Sequence, residues 1–249
     1  MTTELRRVTN FGAIDADADE LLKDCFTDHP SYLDVEHMRR FLVLGRKGSG
    51  KTAIYKELLN SSEWDHLSFG YSFDDYPWHH HDLQAQSGVP EERRYSHSWR
   101  YMILIGMAKL LLNTDQSQPH SEESQEALSS LEKFIVDSYG TRDPEMSQLF
   151  SPEKEIKLKG TLDLKFLQIN GERIGVRELP IHIQAVNSAM QDRIITALNP
   201  SISYYVCFDQ LDLGFTLTEP NYKHRLVGLL LAAKDLLWQR VSVKRNSIP

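Results

Sequence analysis

The most informative stretch of this sequence combines glycines with a lysine and a threonine at fixed spacing. Residues 41–52 read FLVLGRKGSGKT and match the spacing G-x-x-x-x-G-K-[ST]. The fixed positions are Gly45, Gly50, Lys51 and Thr52. Glycines allow backbone N–H groups to converge on phosphate oxygens because no Cβ stands in the way. The pattern predicts a phosphate-binding loop in which Lys51 reaches the β- and γ-phosphates of a nucleotide and the Thr52 hydroxyl holds Mg²⁺.

This loop is predicted to contact the nucleotide through consecutive residues that end in the first turn of a helix. They are Gly45, Arg46, Lys47, Gly48, Ser49, Gly50, Lys51, Thr52 and Ala53. Such a loop needs a strand before it, which apolar residues 41–44 predict, and a helix after it, which residues 53–59 predict. The N-terminal end of that helix adds a positive partial charge. A glycine-rich turn that binds nothing is the alternative, and the flanking strand and helix argue against it.

A second stretch, SYYVCFDQLD at residues 203–212, brings a carboxylate to the end of a strand. Strand-favouring residues precede Asp209, as in a Walker B strand. Such a strand must place Asp209 beside Thr52, so that both organise the Mg²⁺ ion directly or through water. An apolar run that ends in aspartate is common, and it gains meaning here from the loop upstream.

Composition bounds the remaining choices. The 249 residues suffice for one sizeable α/β domain with an insertion, and we expect a single domain over residues 1–249. The formal net charge of −7 argues against constitutive binding to nucleic acid by bulk electrostatics, although it does not exclude a local basic face. The two cysteines, Cys25 and Cys207, lie far apart, so we expect no disulfide and a reducing, cytoplasmic environment. Without a signal core or a long apolar run, no membrane segment is expected.

The elements that must position these residues follow from hydrophobic periodicity. We expect a mainly parallel sheet flanked by helices. The predicted strands are residues 41–44, 66–73 and 203–208; the predicted helices are 53–59, 97–112, 126–139, 180–198 and 222–239. Of these helices, 97–112 is apolar nearly all round, which indicates burial. A lead-in segment, residues 1–40, carries one helix that starts at the acids of 15–20 and is broken by Pro30.

Two further segments leave alternatives open. Residues 152–176 alternate apolar and polar side chains and contain turn dipeptides, which predicts a β-hairpin insertion. Its lysines could touch nucleic acid or a partner subunit, although lysines on an exposed strand more often keep an edge soluble. Residues 74–82, DDYPWHHHD, suggest a metal site, but neighbours on an extended chain point to opposite sides. We therefore favour a loop that borders the ligand crevice.

GRKGSGKT and YYVCFDQLD together resemble motifs of the P-loop ATPases of the additional-strand catalytic-glutamate division. Within it they are similar to the bacterial STAND and KAP-like groups. With DDYPW, they look like a bacterial ATPase family encoded near mobile or defence genes. The resemblance implies a P-loop NTPase fold, ATP and Mg²⁺ as ligands, a further strand between the P-loop strand and the Walker B strand, and a hydrolytic carboxylate just after Asp209. It also suggests phage defence or DNA transactions. The absence of an N-K-x-D motif favours ATP over GTP.

The sequence departs from that pattern in two places. Gln210 stands where the division places glutamate, so Asp212 becomes the candidate for positioning the attacking water; the alternative is that Asp212 caps the following turn or helix. Residues 241–243 begin a further strand that the chain does not complete, so the C-terminus looks truncated. Hydrolysis would then be weak or would need an arginine from another subunit. The candidates within this chain are Arg93, Arg94 and Arg100.

These observations support three functional hypotheses. The first is a Mg²⁺-dependent ATPase, with Lys51 and Asp212 as catalytic residues, that couples nucleotide state to a protein partner or to a homo-oligomer. The second is a nucleotide-binding switch that hydrolyses little or nothing. The third is a small-molecule kinase, which should show an arginine-rich lid helix that is not visible here.

Overall fold

The structure is a computed structural model, and it describes residues 26–27, 29–73, 78, 82, 93–149, 155–156, 174–175, 179–212 and 221–246. In chain order its elements are helix α1 (Pro30–Glu36), helix α2 (Lys51–Asn60), strand β1 (His66–Ser72), helix α3 (Ser96–Asn113), a 3₁₀ turn (Asp115–Ser117), helix α4 (Glu122–Tyr139), helix α5 (Met146–Leu149), strands β2 (Glu155–Ile156) and β3 (Ile174–Gly175), helix α6 (Leu179–Ala197), strand β4 (Ser203–Asp209) and helix α7 (Tyr222–Asn246).

Two strands that are far apart in sequence form the centre of the fold. Strand β1 pairs with β4 in parallel, and the register runs from His66 opposite Ser203 to Ser72 opposite Asp209. Parallel strands are buried on both faces, and helices cover both faces here. The chain is therefore a mixed α/β protein, and the predictions of strands over 66–73 and 203–208 are confirmed.

Helix α3 covers one face of this pair. Gly106 permits its close approach, because a Cβ there would lie 3.1 Å from Val206 Cγ1 and 3.2 Å from Tyr71 Cε2. On its other sides α3 packs against α4, α6 and α7. Trp99 and Ile105 are fully buried. The prediction of a buried helix at residues 97–112 is thus confirmed, since an all-apolar helix needs neighbours all round.

Helices α1 and α2 cover the opposite face. Gly70 admits α2, because a Cβ there would meet Tyr55 Oη at 2.2 Å. Cys207 packs against a small cluster formed by Tyr32, Ile54 and Leu58. Successive strand residues point to opposite faces, so Val206 and Cys207 divide between the α3 side and the α2 side.

The strand predicted at residues 41–44 is not formed. Among the described residues, the backbone groups of residues 41–44 make no hydrogen bond. Phe41 is 55% exposed and Leu44 is 82% exposed. Strand-favouring side chains do not make a strand without a neighbouring backbone to pair with. Within the part of the chain that the structure describes, β4 pairs with β1 and with no other strand.

Two other predicted boundaries differ. Helix α7 continues through residues 241–243, so the prediction of a strand beginning there is wrong. Pro30 begins helix α1, because proline suits the first turn, where its missing N–H is not needed. Helix α4 starts at Glu122, four residues early, because the Ser121 hydroxyl accepts a hydrogen bond from the Ser124 N–H at 3.1 Å. Its predicted end at Gly140 is confirmed.

Other predictions fall largely outside the described residues. Within 152–176, Glu155–Ile156 pairs antiparallel with Ile174–Gly175, and the rest of that segment, with its lysines, is not described. The lead-in helix expected after residue 15 also lies outside the described residues. In the described part of the chain, none of the helices has the length and apolar character needed to span a membrane.

Candidate phosphate-binding site

The glycine-rich loop has a conformation that its glycines make accessible. Gly48 and Gly50 have φ angles of 80° and 81°, in the left-handed region that other residues rarely adopt. The Ser49 N–H donates to the Arg46 carbonyl at 3.1 Å, which closes a tight turn. At Gly45 a Cβ would lie 2.3 Å from Ser49 Oγ. Three glycines are therefore matched to three specific demands of this loop.

Lys51 contacts the loop that precedes it. Its Nζ donates to the carbonyls of Gly45 at 3.1 Å and Arg46 at 3.0 Å. These two hydrogen bonds hold the Lys51 ammonium group against the loop, where the sequence predicts that phosphate binds.

Helix α2 presents its N-terminus at the same place. Its cap is Gly50, which has no side chain to accept a hydrogen bond from the first-turn N–H groups. The loop from Gly45 to Gly50 is exposed to solvent, and Lys51, Thr52 and Ala53 are half-buried. An uncapped and accessible helix N-terminus favours anions through its N–H groups and its dipole.

The direction of α2 brings this loop to the carboxyl end of the sheet. The Leu58 carbonyl, late in α2, lies 2.9 Å from Nε2 of His66, the first residue of β1. Tyr55, one turn earlier, lies over Gly70 near the end of β1. Helix α2 therefore runs antiparallel to β1, and its first turn is at the end where β1 and β4 finish.

Asp209 lies on the α2 face of that end. Tyr205 donates from its hydroxyl to the Glu36 carbonyl of α1, and Cys207 packs beneath α2. Asp209 is the next residue in this alternation, so it shares their face. The structure thus brings Asp209 to the same end and the same face of the sheet as Thr52, as a shared Mg²⁺ site requires.

Sequence reasoning missed Ser72. It is the register partner of Asp209, and its hydroxyl donates to Gln210 Oε1 at 2.6 Å. Gln210 itself has φ 59°, an uncommon left-handed conformation for a side-chain-bearing residue. A hydroxyl at the end of the predicted strand 66–73 was the available signal for Ser72. The position that replaces the expected glutamate is therefore held by a side-chain hydrogen bond across the two strand ends.

The other predicted catalytic groups differ in setting. Asp212 is exposed, in a turn beyond β4, and no observation assigns its role. Arg100 donates to Gln191 Oε1 of α6, and burial lowers its pKa. The Arg100 side chain is therefore occupied by a contact between α3 and α6. Arg93 is exposed just ahead of α3.

Two residues of the acidic aromatic segment are described, and both make contacts near the carboxyl ends of the strands. Trp78 stacks on Phe73, with ring centroids 5.5 Å apart, and Asp82 pairs with Arg225 of α7. Both contacts are on the α3 side of the strand ends. Residues 79–81, the three histidines, lie outside the described residues. Among the residues that are described, His, Cys, Asp and Glu form no group of three that could hold a metal ion.

A cavity of about 200 Å³ lies at the opposite end of the strands. Its lining includes Ser61, Glu63, His66, Ser68 and Thr114. It is separate from the loop, and no residue predicted to bind nucleotide lines it.

Comparison of the chain with models of protein families, with curated proteins and with solved structures finds no match.

Proposed function

We propose that this chain is an Mg²⁺-dependent ATPase with a P-loop NTPase fold, in which nucleotide state controls contacts with a protein partner or a second copy of the chain. One observation carries the proposal. Two glycines at left-handed φ lead directly into an uncapped helix N-terminus, at the strand end and on the sheet face where Asp209 also lies. Backbone N–H groups, a lysine and a carboxylate that converge in this way suit a nucleotide phosphate with its cation.

Each residue has a distinct part in the proposed reaction. The loop N–H groups and Lys51 stabilise the negative charge of the phosphoryl group as water attacks it and ADP leaves. Thr52 and Asp209 would hold Mg²⁺, which neutralises charge on the phosphates. Asp212 would position the water. The link to phage defence or DNA transactions rests on the resemblance of the two motifs alone.

The setting of Gln210 favours a second candidate, a nucleotide-binding switch with little or no turnover. Its amide accepts a hydrogen bond from Ser72 and cannot take a proton from water. Asp212, the alternative base predicted from the sequence, is exposed. Binding without hydrolysis would follow if neither group activates water.

The deciding experiment measures Mg²⁺–ATP binding and phosphate release on the same samples of the full chain. We expect Lys51→Ala to lower binding or turnover by about 100-fold or more. Asp209→Asn should weaken binding mainly when Mg²⁺ is present, and Asp212→Ala should bind normally and lose turnover. Lys133→Ala, which removes an exposed lysine of α4, is the control for charge.

Turnover that survives Lys51→Ala would refute the ATPase proposal. Binding without turnover in the parent chain would select the switch, and the absence of Mg²⁺–ATP binding would refute both.

A further inference from the structure

A fully buried arginine lies near the carboxyl ends of β1 and β4, on the face of the sheet that α3 covers. Arg225, in the first turn of α7, is 1% exposed. Its Nε donates to Asp82 Oδ1 at 2.8 Å and its Nη2 donates to Asp82 Oδ2, which makes a two-pronged ion pair. Tyr95, which leads into α3, hydrogen-bonds Asp82 as well, and burial beside that carboxylate raises the pKa of Tyr95 to about 12. Arginine is almost never buried in this way unless it is paired.

This arginine interrupts the helix face that α7 turns toward α3. The same face continues with Gly228, Leu229 and Ala232, at helical spacing. At Gly228 a Cβ would lie 2.8 Å from Tyr95 Cβ, so the two backbones are close. An apolar side chain at position 225 would continue this face, and buried ion pairs replaced by apolar groups are often equally stable. Stability by itself therefore does not account for an arginine here.

Aromatic rings connect Arg225 to the ends of both strands. Its guanidinium lies 5.1 Å from the centre of the Trp78 ring. Trp78 stacks on Phe73, the residue after β1, and the ring centres of Phe73 and Phe208 lie 5.9 Å apart. Phe208 is the residue before Asp209 and faces the opposite side of the sheet. The contacts form a continuous path from α7 to the backbone that carries Asp209.

We propose that Arg225 is a positioning residue for the Mg²⁺–nucleotide site. Asp82 fixes the guanidinium. Through the rings of Trp78, Phe73 and Phe208, Arg225 holds the ends of β1 and β4, so that Asp209 and Ser72 keep their places on the α2 face. The inference rests on the proposed nucleotide-binding function and deepens it, because it makes α7 the element coupled to nucleotide binding. Coupling of this kind is reciprocal, so bound nucleotide should in turn stabilise the start of α7.

The test compares Arg225→Met with Lys109→Met. Lys109 of α3 is also a buried cation, with Nζ 2.6 Å from Asp143 Oδ1 and 4.4 Å from the centre of the Phe69 ring, midway along β1. Both substitutions remove a buried paired charge, so both should lower thermal stability. At a temperature where circular dichroism shows both folded, Arg225→Met should weaken Mg²⁺–ATP binding by about tenfold or more, and Lys109→Met should leave it unchanged.

Arg225→Lys keeps the charge and loses the two-pronged geometry, so it should restore part of the affinity. It also carries the comparison if Arg225→Met does not fold. Equal affinities for the Arg225 and Lys109 variants would overturn the proposal.

A second measurement separates this inference from the proposed function, because it needs no nucleotide. Amide hydrogen exchange at residues 206–210 should be faster in Arg225→Met than in Lys109→Met. If the parent chain binds no nucleotide, the proposed function fails, and exchange still decides whether Arg225 holds the strand end. Equal exchange in the two variants would overturn that role.

Discussion

At the scale of single residues, Gly48 in the loop and Gly140 at the end of α4 share a left-handed backbone conformation. Gly48 and Gly140, the C-terminal cap of α4, have φ angles of 80° and 75°, and at neither would a Cβ meet a heavy atom within 4 Å. Alanine at either site therefore meets backbone strain of about 1–2 kcal/mol without a steric clash. The two glycines differ in location, and location decides which measurement responds.

We predict that Gly48→Ala weakens Mg²⁺–ATP binding with little change in the melting temperature, because the exposed loop can relax into another conformation. Gly140→Ala should lower the melting temperature and leave binding unchanged, because it strains a helix end far from the loop. Binding titrations and thermal melts on both variants check this. An unchanged affinity in Gly48→Ala would show that the loop does not need its left-handed geometry.

Also at the scale of a residue, Cys207 couples stability to alkaline pH. Burial raises the pKa of its thiol from about 9 to about 12, since the thiolate loses solvation beneath α2. The unfolded chain therefore releases this proton at a lower pH than the folded chain, and stability falls as pH rises above the ordinary thiol pKa.

In a Cys25→Ser background, denaturant melts from about pH 7 to about pH 9.5 should show this fall, and Cys207→Ala should make it smaller. The rest of the fall comes from buried tyrosines such as Tyr71, Tyr101 and Tyr139, whose pKa values burial also raises. In the same background a thiol reagent should modify the half-buried Cys207 more slowly in the folded chain than in the denatured chain. Equal rates for the folded and the denatured chain would contradict the partial burial of this side chain.

At the scale of elements, close helix packing sets the position of α7. Gly228 lies against the backbone of Tyr95 and Ser96, where an added Cβ would come within 3.1 Å of the Tyr95 carbonyl carbon and 3.2 Å of the Ser96 nitrogen. Backbone atoms cannot move aside as the end of a flexible side chain can. Helix α7 must therefore shift if position 228 gains a side chain.

We predict that Gly228→Ala lowers the melting temperature. The cost of overpacking, about 1–3 kcal/mol, exceeds the gain of about 1 kcal/mol expected when alanine replaces glycine in a helix. Thr196→Ala, on the exposed face of α6, is the control, and it should show a small gain because alanine favours a helix more than threonine does. A rise in the melting temperature of Gly228→Ala would show that α7 does not approach α3 this closely.

At the scale of the whole molecule, residues 41–44 do not pair with either of the two parallel strands β1 and β4 that the structure describes. Leu44 is 82% exposed, whereas Leu58 of α2 is 4% exposed. The resemblance of the motifs implies a further strand between the P-loop strand and β4, and the described residues contain none. Whether Leu44 is exposed in solution is therefore a direct question about the sheet.

We predict that Leu44→Ala changes the free energy of unfolding by less than about 0.5 kcal/mol. Leu58→Ala should lower the free energy of unfolding by about 2–5 kcal/mol, since it opens a cavity beside Tyr32 and Ile54. Denaturant melts of the two variants measure the difference. A large loss in Leu44→Ala would mean that residues 41–44 are buried in a more complete sheet.

Local features of the fold were predictable from the sequence. Apolar patterns indicated helices α3, α4 and α6 and strands β1 and β4, because the pattern of a segment reflects its own helical or extended period. Gly140 marked the end of α4 for the same reason. The loop at 45–52 was predicted from the spacing of its glycines, and its left-handed φ angles are local consequences of that spacing.

Tertiary structure decided which strands pair and which face of the sheet each side chain lies on. Which strand lies beside β4, whether residues 41–44 pair, and which side of the sheet Asp209 faces depend on contacts between segments more than 100 positions apart. Ser72 and Arg225 could not be recognised in advance, because a serine that ends a strand and an arginine in a helix acquire meaning only from Gln210 and Asp82. The sequence by itself determined the elements and the chemical groups they carry; the tertiary structure decided which groups meet, because hydrogen-bond partners and burial are properties of the assembled chain.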